Sequence, residues 1–275
     1  MDTETERPRL NATVDDVRSY WDSHTLGKQY VTDGHLEVGS PQFFDHIGPW
    51  MSPFKFPWIM ERIDREARVL GPNGRVLEIG CGMGFASYEF IKRGCRVTAT
   101  DLTPAAVELT KRHFAVRGVQ AEDVRVENAL ELSFPDKSFD AVWANGVLHH
   151  TGDTRRAMQE VRRVLKIGGR AVISHFYRRP SWMYWISRLG RENIEFKSGD
   201  PPVTDFLTEP EIESMFDGFE IVEGVRDHYR ALPIARRGLK ATLYNVGFKP
   251  LYNLMPERLA KKWAYKYSIT ARRLT

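Results

Sequence analysis

The chain has 275 residues and a net charge of +4, with 42% hydrophobic and 28% charged residues, enough for a full α/β core with additions. Its two cysteines, Cys81 and Cys95, exclude a disulfide framework and a cysteine zinc site and fit a reducing compartment. The polar start, Met1 to Arg7, does not read as a signal peptide, and the chain has no long uncharged apolar run, so a cytoplasmic protein is expected.

Residues 1–70 are expected to form an N-terminal helical extension or lid, with aromatics at Tyr20, Trp21, Tyr30, Phe43, Phe44, Trp50 and Trp58. Residues 71–275 are expected to form the core. It opens with Val76-Leu77-Glu78-Ile79-Gly80-Cys81-Gly82-Met83-Gly84. An apolar run is how a buried parallel strand reads, and glycines at alternate positions allow positive φ and close approach of backbone to a ligand. Phe85 to Ile91 then opens a helix whose free N–H groups face the turn. This strand–turn–helix unit is a nucleotide cradle. It differs from the dinucleotide fingerprint, because the third glycine comes one residue early and Glu78 stands where a pyrophosphate is repelled. No Gly-Lys-Ser/Thr follows, which excludes a P-loop. The spacing suits a ligand with a cationic amino-acid part and no phosphates.

Further elements follow in order. Arg96 to Asp101 reads as a second strand, ending in an acid about 20 residues past the glycines, where a ribose diol can be reached. Pro104 starts a helix. Val124 to Ala129 and Phe139 to Asn145 read as strands three and four. Asp153 caps a helix that Gly168-Gly169 is expected to stop, and Arg170 to Phe176 reads as strand five. Thr208-Glu209-Pro210-Glu211 reads as a capping box. Phe219 to Val222 and Tyr265 to Thr270 complete the strands. Alternating strands and helices imply a doubly wound, mainly parallel sheet, with ligands beyond the carboxyl ends of its strands. Residues 177–207 and 230–262 are expected as cap insertions. From Ala231 onward there are ten Lys/Arg and one acid, Glu257, which is either a solvated basic face or a surface for an anionic partner.

These motifs resemble those of the class I S-adenosylmethionine (SAM) dependent methyltransferases. Gly80, Gly82 and Gly84 match the glycine motif. Asp101-Leu102-Thr103 is similar to the ribose motif. Leu130 to Asp140 resembles the family's L-P-F-x-D-x-S-F-D stretch, and Val161 to Gly169 its E-x-x-R-V-L-K-P-G-G stretch. The resemblance implies a seven-stranded sheet of order 3-2-1-4-5-7-6 with the last strand antiparallel. It also implies SAM as cofactor and S-adenosylhomocysteine as product. Glu78, Gly80, Cys81, Gly82, Gly84, Asp101, Leu102, Asn128, Ala129, Asn145 and Gly146 are then the expected cofactor residues. Asn128-Ala129 stands where relatives often carry Asp-Ala, and Asn retains a carbonyl acceptor. Ile167 replaces the usual proline.

The catalytic candidates are His150 and His149 after strand four, then His175 and Tyr177 leaving strand five; an imidazole there takes the acceptor's proton. Each ring has the alternative of bonding a loop carbonyl. Arg178, Arg179 and Arg188 among Trp182, Tyr184 and Trp185 read either as a substrate clamp or as a packed amphipathic helix. No metal site is expected. The expected reaction is in-line displacement at a methyl carbon, with oxygen, nitrogen or activated carbon of a small aromatic or apolar metabolite as acceptor. The rivals are an RNA methyltransferase using the basic lobe and a non-catalytic SAM-binding protein. Nucleic acid is disfavoured, because strand four ends in Asn145-Gly146-Val147-Leu148 and not in Asn/Asp-Pro-Pro-Tyr/Phe. Residues 230–262 are also a candidate contact for an anionic membrane. Oligomeric state is not readable.

Overall fold

The computed structural model describes residues 12–24, 36–51, 56–190, 201–231 and 239–275. Eight strands form one sheet: β1 (Arg75–Ile79), β2 (Arg96–Asp101), β3 (Asp123–Val126), β4 (Phe139–Asn145), β5 (Leu165–Arg178), β6 (Phe206–Leu207), β7 (Phe219–Asp227) and β8 (Lys266–Arg273). The order is β3-β2-β1-β4-β5-β8-β7, with β6 off this path beside β5. Without the two-residue β6, this is the expected seven-strand order. β8 runs antiparallel to both β5 and β7.

Alternation along the central strands explains why both faces are covered. Val76, Ala141, Trp143 and Val172 pack on one face with Ile59, Ile63 and Phe90. Leu77, Val142, Ala144 and Ile173 pack on the other with Val161, Ile212 and Ile269. Successive residues of a strand point to opposite faces, so an unbroken apolar run needs helices on both sides. Helices α3 (Pro57–Leu70), α4 (Phe85–Lys92) and α5 (Pro104–Arg117) stand with α1 (Val14–Ser23) and α2 (Pro41–Ile47) before or within the first half of the sheet. Helices α6 (Thr154–Val164), α7 (Trp182–Gly190) and α8 (Glu209–Glu213) follow.

The helix starts obey their caps. The Thr103 side chain accepts from Ala106 N, with Pro104 in the first turn. Asp153 accepts from Arg156 N at 2.9 Å. The Thr208–Glu211 capping box is complete, as is a second one at Thr13–Asp16.

Several boundaries differ from expectation; β7 runs on to Asp227 and β8 to Arg273, past the expected Val222 and Thr270, because the two pair along their length. β3 ends at Val126, and Asn128 turns the chain by accepting from Leu130 N at 3.0 Å. α6 stops at Val164, before the glycines. Gly168-Gly169 instead lies inside β5, where the register with β4 shifts between Phe139 and Ala141. A Cβ on Gly169 would come within 2.8 Å of Lys166 O and 3.1 Å of Asp140 O, so the glycine serves a bulge rather than a helix stop. β5 then runs on to Arg178, because β8 and β6 supply partners beyond Phe176.

Candidate functional site

Strand order reverses between β1 and β4, so the turns that follow these two strands open a crevice between them. Its wall includes Gly80 and Gly82 after β1, Asp101 and Leu102 after β2, Asn128 and Ala129 after β3, and Asn145 and Gly146 after β4. His150, Val147 and Thr151 close one side.

The glycine turn is held by its own backbone. Cys81 N donates to Thr100 O and Gly84 N to Cys81 O, each at 2.8 Å. Gly80, Gly82 and Gly84 have φ of 73°, 58° and 72°. Their side-chain positions differ in meaning. A Cβ on Gly80 would meet Val147 Cγ2 at 2.3 Å, and one on Gly84 would meet Thr110 Cγ2 at 2.7 Å. At Gly82 and Gly146 nothing lies within 4 Å, so the crevice wall is open backbone there. Gly80 and Gly84 are therefore glycines for packing as well as φ, and Gly82 for φ and open space.

Asp101 lies at the carboxyl end of β2. Its Oδ2 accepts from Gly82 N and its Oδ1 from Thr103 N and Oγ1, all at 3.0 Å. Burial raises its pKa against these donors, which favour the charged form. The carboxylate thus ties the glycine turn to the next helix while standing in the crevice wall. Open backbone, the oriented acid Asp101 and the apolar sides of Leu102 and Ala129 fit a nucleoside with an amino-acid tail; Glu127 is a second acid in the wall.

Among the described residues, Glu78, Cys81 and Gly84 are not in this wall. The Glu78 carboxyl is buried under the turn, where Oε2 accepts from Ser87 N at 2.9 Å and from Ser87 Oγ. Burial pushes its pKa up to about 8. Cys81 packs with Sγ 3.4 Å from Thr110 Oγ1, and burial holds its thiol well above its ordinary value, so it is inert as a nucleophile.

Of the four catalytic candidates, His150 lies in the crevice wall. Its Nδ1 is 2.8 Å from Val203 O. A carbonyl only accepts, so Nδ1 carries the hydrogen and Nε2 the lone pair in the neutral ring. His149 and Tyr177 pack behind it with tilted rings, the centroids 4.1 Å (His149–His150) and 4.5 Å (His149–Tyr177) apart. His149 is fully buried with Nε2 unpartnered, and burial first, then the neighbouring His150 and Lys266 charges, hold its pKa well below the usual value. His175 stands apart. It has φ of 66° in the bulge of β5 and lies against His228 at 4.7 Å. Burial and then Lys266 keep it neutral too.

Arg178 is engaged elsewhere in the structure: it pairs with Glu209 and donates to Pro180 O at 2.8 Å and Ala264 O at 2.9 Å. Arg179 pairs with Glu211 at 2.7 Å. Trp182 packs with Tyr244, Tyr252 and Tyr265. The packed-helix reading accounts for Trp182, and Arg178 and Arg179 are held by Glu209 and Glu211; the side chain of Arg188 lies outside the described residues.

An N-terminal lid with Trp21 among its aromatics was expected, but the helix that brings it to the crevice was not singled out. Val14, Val17 and Trp21 of α1 face it, and Trp21 meets the His150 ring edge-on at 5.2 Å. The signal was present: a capping box at Thr13–Asp16, then apolar residues three and four positions apart.

Comparison with known proteins gives a consistent set. Residues 77–173 match the family model described as "Methyltransferase domain". The chain is 29% identical over 174 residues to a ubiquinone biosynthesis O-methyltransferase from Xanthomonas oryzae pv. oryzae, covering 62% of this chain and 70% of that protein. It superposes on a putative sarcosine dimethylglycine methyltransferase from Galdieria sulphuraria with a TM-score of 0.58 and 17% identity, covering 95% of this chain and 98% of that one. A SAM-dependent methyltransferase from Methanosarcina mazei matches with a TM-score of 0.51 and 25% identity, over 76% of this chain and 97% of that one.

Proposed function

We propose that this chain, which is a class I S-adenosylmethionine-dependent methyltransferase with SAM as its cofactor, methylates a hydroxyl oxygen of a small apolar or aromatic metabolite. The observation that carries this reading is His150 in the crevice wall with Nδ1 held by Val203 O, which presents the basic Nε2 on the far side of the ring. The likeness to a ubiquinone biosynthesis O-methyltransferase supports oxygen as the acceptor atom. The aromatic cover supports an apolar acceptor.

We assign Asp101 to the ribose hydroxyls, Leu102 and Ala129 to the adenine faces, and the backbone of Gly80, Gly82 and Asn145-Gly146 to the methionine part. Glu78 acts through the turn by anchoring Ser87. When bound, SAM supplies a methyl group on a sulfonium that is already a good leaving group. No covalent intermediate with the protein is then needed, and the residues' task is orientation and proton management. His150 Nε2 accepts the acceptor hydroxyl's proton as its oxygen becomes the nucleophile. His149, tilted against the His150 ring, and Tyr177, which meets it edge-on, hold that ring in place. Val17 and Trp21 cover the crevice and exclude water.

The test is turnover of a panel of phenols, catechols, amines and activated carbon acids, with products identified by mass. Methyl ethers are the expected products, and exclusive N- or C-methylation would refute the oxygen assignment. His150→Gln should lower kcat by about 100-fold or more, with SAM affinity by calorimetry unchanged. An unchanged kcat would place the base elsewhere.

A further inference from the structure

The segment from Leu239 to Asn253 lies outside the sheet and is helical throughout, with a π-helical stretch, Leu243–Phe248, between two α-helical ends. Its inner side completes the cap: Tyr244 and Tyr252 are buried, Phe248 stacks between them at 5.4 and 5.3 Å, and Trp182 packs on both. Among the described residues, its apolar side chains on the outer side are exposed. Leu239 is 76% exposed, Leu243 62%, Val246 73%, Leu251 72% and, just past the end, Leu254 81%.

The π segment explains why these five lie together. In a regular α-helix, Leu251 and Leu254 would rotate about 120° and 60° away from Leu239. A π turn takes an extra residue, and six such residues turn Leu251 and Leu254 back by roughly 100°, toward the side of Leu239 and away from the buried Tyr244 and Tyr252. The irregularity therefore leaves these leucines and the valine on one exposed side.

Cations follow the stripe in the chain. Arg258, Lys261, Lys262 and Trp263 are exposed, and Glu257, the single acid between residues 239 and 263, is paired with Lys261 at 2.6 Å. An apolar face followed in the chain by exposed cations and a tryptophan matches an anionic bilayer surface, where aliphatic side chains enter the acyl boundary, tryptophan sits at headgroup level and lysines meet lipid phosphates. A second copy on this stripe fits less well, since an isologous contact brings like charges together. Among the described residues no helix is long and apolar enough to cross a membrane, so the contact is peripheral.

We propose that the Leu239–Leu254 stripe seats this protein on an anionic lipid bilayer, independently of which acceptor it methylates. The full chain should sediment with vesicles of phosphatidylcholine mixed with phosphatidylglycerol, and about 10-fold less with phosphatidylcholine alone. Leu243→Glu/Leu254→Glu should reduce binding to the mixed vesicles by at least about 10-fold, and Arg258→Gln/Lys262→Gln should remove most of its salt sensitivity. Calorimetric SAM binding should be unchanged in both variants, which establishes that they are folded. Failure of the wild-type chain to sediment with the mixed vesicles at low salt would overturn the proposal. So would equal retention of the variants, or a lipid-free dimer that Leu243→Glu/Leu254→Glu converts to monomer in light scattering.

Discussion

Glu78 shows how one residue carries two duties in this site. Its position before Gly80 marks the cofactor motif, while its carboxyl is turned to Ser87 beneath the turn. Burial raises its pKa from 4.5 to about 8. The folded chain then holds a proton between these values that the unfolded chain has released. Stability contributed by this group is therefore present below about pH 4.5 and is lost as pH rises toward 8. Glu78→Gln keeps an acceptor for Ser87 and abolishes the titration. In thermal melts of the cofactor-free protein, the variant should gain on wild type from pH 5 to pH 8, by on the order of 3 kcal/mol at the upper end. A constant difference across that range would show that Glu78 is ionised in the folded state. Sequence spacing located this acid, and its partner was hidden because Ser87 is on the next helix with no motif that names it.

At the scale of elements, the glycine turn separates packing from ligand space. Gly80→Ala forces a Cβ into Val147 and an unfavourable φ. It should cost about 3 kcal/mol or more and lower Tm visibly. Gly82→Ala meets no protein atom within 4 Å, so its stability cost is about 1–2 kcal/mol from φ alone. Its methyl group enters the crevice, so SAM affinity should fall by about 10-fold or more, read by calorimetry beside the melts. Equal effects of the two substitutions on stability and affinity would refute this division. The three glycines look alike in the sequence. Their difference arises from what β4 and α5 place opposite them.

At the scale of the whole molecule, the pair of buried Glu66 and partly buried Arg170 ties α3 to β5, with Arg170 Nη2 to Glu66 Oε1 at 3.0 Å. Glu66→Leu leaves the Arg170 charge uncompensated and should cost about 3–5 kcal/mol, a fall in Tm on the order of 10 °C. Glu66→Leu/Arg170→Met should recover most of that loss, because two apolar side chains of similar volume need no counter-charge. A double variant no better than the single one would show that the pair contributes through packing alone.

The strands β1, β2 and β4, the helix start at Pro104, the caps at Asp153 and Thr208, and the crevice residues Gly82, Asp101 and Asn145 were legible in the sequence, because each rests on a local pattern of apolar runs, helix-start residues or glycine spacing. Tertiary structure decided where β5 ends, since its last residues are strand only because β6 and β8 pair with them. It also decided that His150 faces the crevice while His149, Tyr177 and His175 are packed behind or apart. Four candidate side chains within a few residues of two strand ends are equivalent by spacing, and only the packing of α1, Val203 and β8 around them distinguishes the one in the wall.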